Sequence, residues 1–218
     1  MIDAIIFDFD GVILDTETPN YTTWQEVFES YGVSLDHNYW SEFIGGGTHT
    51  LDVCKHLTEI SNKSIDCELL KRERREKYVS LVESSPLLPG VWECITNANN
   101  HGLKLAIASS SSSAWIEEHL DKRGLTKYFE CIKTRDDVRK VKPDPEIYRS
   151  AIKCLSVSPD QAIVIEDSPN GITAAKKAGL CCIVIPNEMT KQLPINHADY
   201  NFESIAKINI PSLFPWLD

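Results

Sequence analysis

The chain has 218 residues, of which 42% are hydrophobic and 25% are charged. This length suits one globular domain, or one domain with a smaller insertion, and the composition gives no sign of disorder or fibrous structure. The formal net charge is −10, from 22 basic and 32 acidic side chains. Because such an acidic surface repels nucleic acid and anionic membranes, we expect neither as a partner.

Two features favour a cytoplasmic location. The N-terminal residues lack the basic start and apolar run of a signal peptide, and no segment approaches the roughly 18 apolar residues of a membrane-spanning helix. The seven cysteines are scattered and odd in number, and none forms a C-x-x-C pair. Their pattern therefore predicts neither a disulfide framework nor a zinc site, as is typical of a reducing compartment.

Short apolar runs alternate with helical patterns along most of the chain. Residues 4–9 predict a first strand that ends at Asp10-Gly11. Similar runs predict strands at 103–108, 162–165 and 180–185, with shorter strands at 129–132 and 198–200. This alternation is typical of an α/β fold with a doubly wound parallel sheet, in which ligands bind beyond the C-terminal ends of the strands.

Residues 16–87 contain helical patterns and no convincing strand. We interpret them as an α-helical cap inserted into an α/β core, which is formed by residues 1–15 and 88–218. The last cap helix is predicted at residues 66–83 and carries the mixed-charge run Lys71–Lys77. Because Glu73 and Lys77 stand four residues apart in the favourable order, we interpret this run as a solvated helix face rather than an anion-binding patch.

Two carboxylates, Asp8 and Asp10, leave the end of the first predicted strand. Their spacing places both on one side of the chain. Because like charges held so close repel, the pair favours a counter-ion, and a hard cation such as Mg²⁺ accepts oxygen ligands. An acidic pair can also merely start a turn, and taken alone these two residues do not decide between the interpretations.

Three further polar signals follow later strands. Ser109 comes directly after strand 103–108, where a hydroxyl beside the N–H groups of a helix start suits a phosphate, whereas Ser110–Ser113 are equally well explained as a capping loop. Lys142, before a proline, supplies a cation that can balance a transferring phosphoryl group. Glu166 and Asp167 close strand 162–165, and adjacent acids at a buried strand end favour a metal site over a helix cap.

In this order and spacing the signals resemble the four motifs of the haloacid dehalogenase superfamily, in the branch with a helical cap after the first motif. That branch includes phosphatases and β-phosphoglucomutase-like enzymes. The resemblance spans essentially the whole chain. The matching segments are Phe7–Glu17, Ala108-Ser109, Lys142-Pro143 and Ile165–Gly171.

The resemblance implies a phosphotransfer mechanism. Asp8 would attack phosphorus to form an aspartyl-phosphate, and Asp10 would protonate the leaving alcohol and later activate water. The implied cofactor is Mg²⁺. Its implied ligands are Asp8, the Asp10 carbonyl, Asp167 and, directly or through water, Glu166, while Ser109 and Lys142 would hold the phosphoryl oxygens.

Within this branch, mutases of the β-phosphoglucomutase type usually carry a histidine shortly after the cap entry and an arginine in the first cap loop. Residues 15–20 and 44–49 lack both, so the sequence offers no obvious basic anchor for a second phosphate. This departure favours hydrolysis of a small soluble phosphate monoester (a sugar, polyol or nucleoside phosphate) over a mutase. A dehalogenase would not need the acidic metal site, and a non-catalytic phosphate-binding or signalling module is the alternative from a different class.

The resemblance also implies that the cap selects the substrate. For the three cap glycines a helix-connecting turn is an equally good interpretation, and for His49 a surface position near a loop is the favoured one. Relatives with this type of cap imply a monomer. The candidate substrate residues are Thr16, Asn20, Trp24, Gly46, Gly47, Thr48 and His49.

Overall fold

A six-stranded parallel sheet forms the core of the described chain, which in this computed structural model comprises residues 2–36, 39–41, 44 and 52–208. The strand order is β3-β2-β1-β4-β5-β6, as expected for a doubly wound α/β fold. All six predicted strands are present, with ends that differ by a few residues. They are β1 Ala4–Phe7, β2 Lys104–Ala108, β3 Cys131–Lys133, β4 Ala162–Glu166, β5 Cys181–Val184 and β6 Tyr200–Asn201.

Strand β1 lies at the centre of the sheet and pairs with β2 on one side and β4 on the other. Its four residues are all buried, which explains why the run is apolar at every position instead of alternating. Ile5 and Phe7 face one side of the sheet, and Ala4 and Ile6 face the other. Because the chain reverses its direction of winding at β1, the edge beyond β1, β2 and β4 is the expected ligand-binding crevice.

Helices cover both faces of the sheet. Helices α4 (Val91–Asn100) and α5 (Ser113–Lys122) pack on the face of Ile5 and Phe7, and α6 (Glu146–Leu155) and α7 (Pro169–Lys177) pack on the opposite face. Among the helices that the structure describes, none combines the length and apolar character needed to cross a membrane. The helices are α1 Glu17–Ser30, α2 Val53–Ser61, α3 Cys67–Ser84, α4 Val91–Asn100, α5 Ser113–Lys122, α6 Glu146–Leu155 and α7 Pro169–Lys177.

Helices α1, α2 and α3 form the predicted cap and share an apolar cluster of their own. Trp24, Phe28 and Leu57 are at its centre and are at most 4% exposed. The chain leaves the sheet and returns to it at adjacent points, where Leu14 forms an antiparallel bridge with Leu87. The cap therefore stands directly above the edge at which β1 ends.

The structure contradicts the expectation that the cysteines form no disulfides. Cys54 on α2 and Cys67 on α3 are bonded, and so are Cys131 on β3 and Cys154 on α6. The partners are separated by 13 and 23 residues, so neither pair forms a short motif. Packing of α2 against α3, and of α6 against β3, brings the sulfur atoms together. The remaining cysteines, Cys94, Cys181 and Cys182, are free.

Candidate active site

Three carboxylates meet beyond the C-terminal ends of β1 and β4. Asp8 follows β1, and Glu166 and Asp167 lie at the end of β4. The two strand ends are adjacent because the register places Phe7 opposite Ile165. One oxygen from each carboxylate lies within 4.8 Å of the other two. All three residues are at most 7% exposed. Such a buried set of oxygen donors fits a hard divalent cation, as predicted for this edge.

Lys142 bridges two of these carboxylates. Its Nζ donates to Asp8 Oδ1 at 2.7 Å and to Glu166 Oε1 at 2.6 Å, and the residue is only 4% exposed. Burial by itself lowers the pKa of Lys142, but the carboxylates of Asp8 and Glu166 raise it above its ordinary value. The site therefore contains a permanent positive charge beside Asp8.

Glu166 supports the site from beneath. Its Oε1 accepts from Lys142 and from the Tyr148 hydroxyl at 2.6 Å, and its Oε2 accepts from the N–H groups of Asp167 and Ser168 and from the Ser168 hydroxyl. Burial opposes ionisation, but Lys142 and these hydrogen bonds keep the pKa of Glu166 below its ordinary value. Because both oxygens are engaged, Glu166 chiefly orients Lys142 and the loop after β4.

Asp8 and Asp167 differ from Glu166 in that their pKa values are raised. Burial raises the pKa of Asp8 to about 7, and the charges of Glu166 and Asp10 add to the rise while Lys142 opposes it. Burial, Glu166 and Asp8 likewise raise the pKa of Asp167 well above its ordinary value. Asp167 Oδ2 accepts one hydrogen bond, from Asn187 Nδ2 at 2.7 Å. These two carboxylates are therefore the ones that most need a second cation.

Two glycines leave room for these acids. Gly11 has a φ of 77°, and a Cβ there would lie 2.2 Å from Asp167 Oδ2. A Cβ on Gly171, at the start of α7, would lie 1.8 Å from Glu166 Oε1. A larger residue at either position would displace a carboxylate of the site.

Asp10 lies beside the cluster and is held by the segment that follows β2. Its Oδ2 accepts from Ser111 Oγ at 2.6 Å and from Ser109 Oγ at 3.2 Å, and its Oδ1 accepts from Trp115 Nε1 at 3.2 Å. Ser109, which was predicted to hold a phosphoryl oxygen, thus contacts Asp10 in this structure. Two of these contacts were not predicted: Ser111 belongs to the segment that a capping loop explains equally well, and Trp115 belongs to no motif.

A cavity of about 870 Å³ separates the core from the cap. Asp8, Asp10, Ser109, Lys142 and Asp167 line its core side. Three cap residues named from the sequence, Thr16, Asn20 and Trp24, line it from above. The other cap candidates, Gly46, Gly47, Thr48 and His49, lie outside the described residues.

The basic run in α3, which was interpreted as a solvated face, also borders the cavity, although Arg72 and Arg75 are exposed as that interpretation expects. Lys71, Arg72, Arg74 and Arg75 line the cavity, whereas Lys77 pairs with Glu26. Lys71, Arg74, Arg75 and the cavity-lining Tyr78 have the spacing i, i+3, i+4, i+7 of one helix face. That spacing was the available signal, but the sequence did not show which side of α3 faces the site.

Arg74 is fixed in place above the cavity. It donates to Asn20 Oδ1 at 3.0 Å and to Thr23 Oγ1 at 2.8 Å, and its guanidinium lies 4.7 Å from the centre of the Trp24 ring. Burial, with a smaller contribution from Arg75, lowers the pKa of Arg74 to about 10, so the side chain stays charged at neutral pH. The cap therefore presents an oriented cation to a ligand.

Glu17, at the first position of α1, is a further cavity residue without an assignment from the sequence. Burial and the carboxylates of Asp10, Asp8 and Asp15 raise its pKa to about 8. This carboxyl group therefore holds its proton to a higher pH than an ordinary glutamate, and in that form it can donate a hydrogen bond to a ligand.

Several buried polar atoms around the cavity make no hydrogen bond within the described residues. They are Thr16 Oγ1, Arg74 Nε and Ser110 Oγ. A buried polar group without a partner costs roughly 1–3 kcal/mol. The lining is therefore suited to a polar ligand that supplies these partners.

A family model described as haloacid dehalogenase-like hydrolase matches residues 5–185. YhcW of Bacillus subtilis (strain 168) is 42% identical over 218 residues, which covers 100% of this chain and 99% of that protein. The phosphorylated carbohydrates phosphatase of Thermotoga maritima is 34% identical over 180 residues, or 82% of each chain. A crystal structure of a CbbY variant from Rhodobacter sphaeroides in complex with xylulose-(1,5)bisphosphate has a TM-score of 0.75 at 30% identity, and covers 96% of this chain and 97% of that one.

Proposed function

Because the chain belongs to the haloacid dehalogenase-like hydrolases, we propose that it uses Mg²⁺ and a covalent aspartyl-phosphate on Asp8 to hydrolyse a small soluble phosphate monoester. Sugar phosphates are the favoured substrates, since a relative that covers most of the chain is a phosphorylated carbohydrates phosphatase. Polyol and nucleoside phosphates are further candidates.

The observation that carries the proposal is the setting of Asp8 at the base of the cavity. Lys142 holds its Oδ1 at 2.7 Å, while no hydrogen bond to its Oδ2 is found among the described residues. Asp8 therefore has one oriented oxygen and one available oxygen, as a carboxylate nucleophile requires. At the same edge of the sheet Lys142 supplies a cation, Glu166 and Asp167 supply two further carboxylates, and Ser109 supplies a hydroxyl.

The described residues fit a bound Mg²⁺. Asp8, Asp167 and the backbone carbonyl of Asp10 would hold it, with Glu166 behind them. When bound, the cation would neutralise charge on the phosphoryl oxygens and keep the two carboxylates with raised pKa values ionised.

The chain's own residues account for the bond changes. Asp8 Oδ2 attacks phosphorus as the bond to the leaving oxygen breaks, and Asp10 gives a proton to that oxygen. A water molecule then attacks the phosphorus of the aspartyl-phosphate and transfers a proton to Asp10. The Asp8–phosphorus bond breaks, inorganic phosphate leaves, and both acids return to their starting state.

Ser109 and Lys142 would hold the phosphoryl oxygens during both steps. Ser109 is 1% exposed and lies directly after β2, and its Oγ accepts the N–H of Ser111 at 3.0 Å. Lys142 is fixed by two carboxylates and so needs no reorganisation when charge develops on the phosphoryl group. Thr16, Asn20 and Trp24 would contact the leaving group from the cap.

A β-phosphoglucomutase-like activity is the second candidate, and α3 is the observation that favours it. Residues 15–20 and 44–49 offer no basic anchor for a second phosphate, but Arg74 and Arg75 line the same cavity as the nucleophile. The choice between hydrolysis and mutation therefore depends on whether water reaches the aspartyl-phosphate.

Phosphate release from a panel of sugar, polyol and nucleoside phosphates tests the proposal. We expect release by the native chain and by the surface control Asp121→Asn in Mg²⁺, and none by Asp8→Asn or in a chelator. Interconversion of β-glucose 1-phosphate and glucose 6-phosphate without net release would establish the mutase. Inactivity in both assays, with retained phosphate binding, would favour a non-catalytic module.

We also propose the domain division into a core (1–15 and 88–218) and a cap (16–87), which the adjacent chain connections at Leu14 and Leu87 support. A monomeric state and a cytoplasmic location stay predictions. The two disulfides weigh against the second, since such bonds are rare in reducing compartments.

A further inference from the structure

We infer that Trp115 is a positioning residue for Asp10, and that its indole ring connects the Asp10 carboxyl group to the last helix of the cap. The inference rests on the proposed function, because it concerns the group that protonates the leaving oxygen. It assigns to Trp115 a task that no sequence motif indicates.

The carboxyl group of Asp10 has three hydrogen-bond donors among the described residues, and all come from the segment after β2. Ser109 and Ser111 contact Oδ2, and of the residues that the structure describes only Trp115 contacts Oδ1, at 3.2 Å. A serine hydroxyl can rotate and act as donor or acceptor, whereas an indole N–H can only donate. The Trp115 N–H therefore makes the two carboxyl oxygens of Asp10 inequivalent, because only Oδ1 faces an obligate donor.

The different contacts of Oδ1 and Oδ2 determine which oxygen of Asp10 can exchange a proton with a ligand. The indole N–H holds Oδ1 as an acceptor, while Oδ2 contacts only hydroxyls in the described part of the chain, which can reverse their role and leave this oxygen able to exchange a proton with a ligand. Oδ2 lies 3.2 Å from Ser109 Oγ, the hydroxyl proposed to hold the phosphoryl group. Trp115 thereby directs the proton toward the side on which the leaving oxygen would sit.

The indole ring itself is held between the core and the cap. The Tyr78 ring stacks on it with centres 5.7 Å apart and planes 15° apart, and the Arg75 guanidinium lies 4.8 Å from its centre. On the core side, the His119 ring meets it edge to face at 4.1 Å. Since Arg75 and Tyr78 lie one turn apart on α3, a shift of the cap moves the ring that orients Asp10.

The test compares two esters that differ in their need for a proton. An alkyl phosphate, such as the sugar phosphate that the native chain cleaves fastest, has a poor leaving group and requires general acid catalysis. p-Nitrophenyl phosphate releases a stable phenolate and does not. The value of kcat/KM for each ester reports the transfer of phosphorus to Asp8 and excludes the later hydrolysis of the intermediate.

Trp115→Phe keeps an aromatic ring against Tyr78 and removes the N–H together with the five-membered ring that carries it. General acid catalysis contributes about 10²–10⁴-fold, and we expect loss of its positioning to lower kcat/KM for the alkyl phosphate by about tenfold or more. For p-nitrophenyl phosphate we expect a loss of at most about threefold. Trp92→Phe is the matched control, because Trp92 is 43% exposed and contacts Tyr128 instead of the site.

Tyr78→Leu provides a second variant, which keeps the N–H and loosens the ring. We expect it to shift the ratio of the two kcat/KM values in the same direction and by less. Equal losses on both esters for Trp115→Phe, or no loss on either, would overturn the inference. Failure of the native chain to cleave either ester in Mg²⁺ would instead refute the proposed function.

Discussion

Replacing Lys142 with Met should destabilise the folded chain strongly and in a pH-dependent way. Lys142 is 4% exposed and lies between Asp8 and Glu166. Removing one partner of a buried ion pair costs about 3–5 kcal/mol, since the other charge stays buried without compensation. Two carboxylates lose their cation here, so we expect about 4 kcal/mol at pH 8 in a chelator.

The pH dependence follows from Glu166. Lys142 keeps the pKa of Glu166 below its ordinary value. In the native chain the ionised Glu166 therefore contributes stability above that ordinary pKa, and this contribution is lost only as the pH falls through the lowered pKa of the folded state. Without Lys142, burial raises the pKa of Glu166 instead. Stability of the variant then falls as pH rises above the ordinary value, by about 1.4 kcal/mol per pH unit until Glu166 ionises.

Denaturation by urea, followed by circular dichroism at pH 5 and pH 8, measures this effect. We expect Lys142→Met to lose clearly more free energy of unfolding at pH 8 than at pH 5, and Mg²⁺ to restore part of it. Lys191→Met is the control, because Lys191 pairs with Glu188 at the surface, where such pairs contribute about 0–1 kcal/mol. A loss below about 1 kcal/mol, or an equal loss at both pH values, would refute the reasoning.

Three further predictions concern other parts of the site and fold. Gly171→Ala should lower both activity and stability, the latter by roughly 1–3 kcal/mol, because its Cβ must displace Glu166; thermal denaturation and phosphate release measure the two effects. KM should rise as pH passes about 8, where Glu17 ionises and repels the phosphate dianion, and Glu17→Gln should remove that rise in steady-state assays. Alkylation of the denatured chain should label the three free cysteines before reduction and all seven cysteines after it, as mass spectrometry would show.

Each of these expectations can fail clearly. Native activity and stability in Gly171→Ala would mean that Glu166 can move without cost. An unchanged pH profile in Glu17→Gln would assign the rise in KM to another group. Seven labelled cysteines without reduction would show that the chain carries free thiols, which would support the cytoplasmic prediction.

The main acidic site was predictable because its parts obey local rules. Each buried strand reads as an apolar run, and Asp8, Ser109 and the Glu166-Asp167 pair each follow such a run directly. Parallel strands bring their C-terminal ends to one edge, so the sequence alone was enough to predict that these side chains converge. Lys142 lies between β3 and α6 rather than at a strand end, so its place in the site was predicted from the resemblance of Lys142-Pro143 to the third motif.

The contacts of Asp10 and the face of α3 were not predictable in this way. Ser111 and Trp115 reach Asp10 because the loop after β2 and the first turn of α5 lie beside the end of β1, and no motif encodes that arrangement. The spacing of Lys71, Arg74 and Arg75 defines one helix face, but an amphipathic pattern of charges looks the same whether it faces water or a cavity.

The sequence by itself therefore determined the α/β fold, the helical insertion and the acidic edge of the sheet, because periodicity and strand ends are local properties. The tertiary structure alone decided which cap residues face Asp8 and which cysteines pair. Those outcomes depend on how α2 and α3 pack on each other and on the core. Such packing is set by many weak contacts between distant residues, and no single segment of the chain contains them.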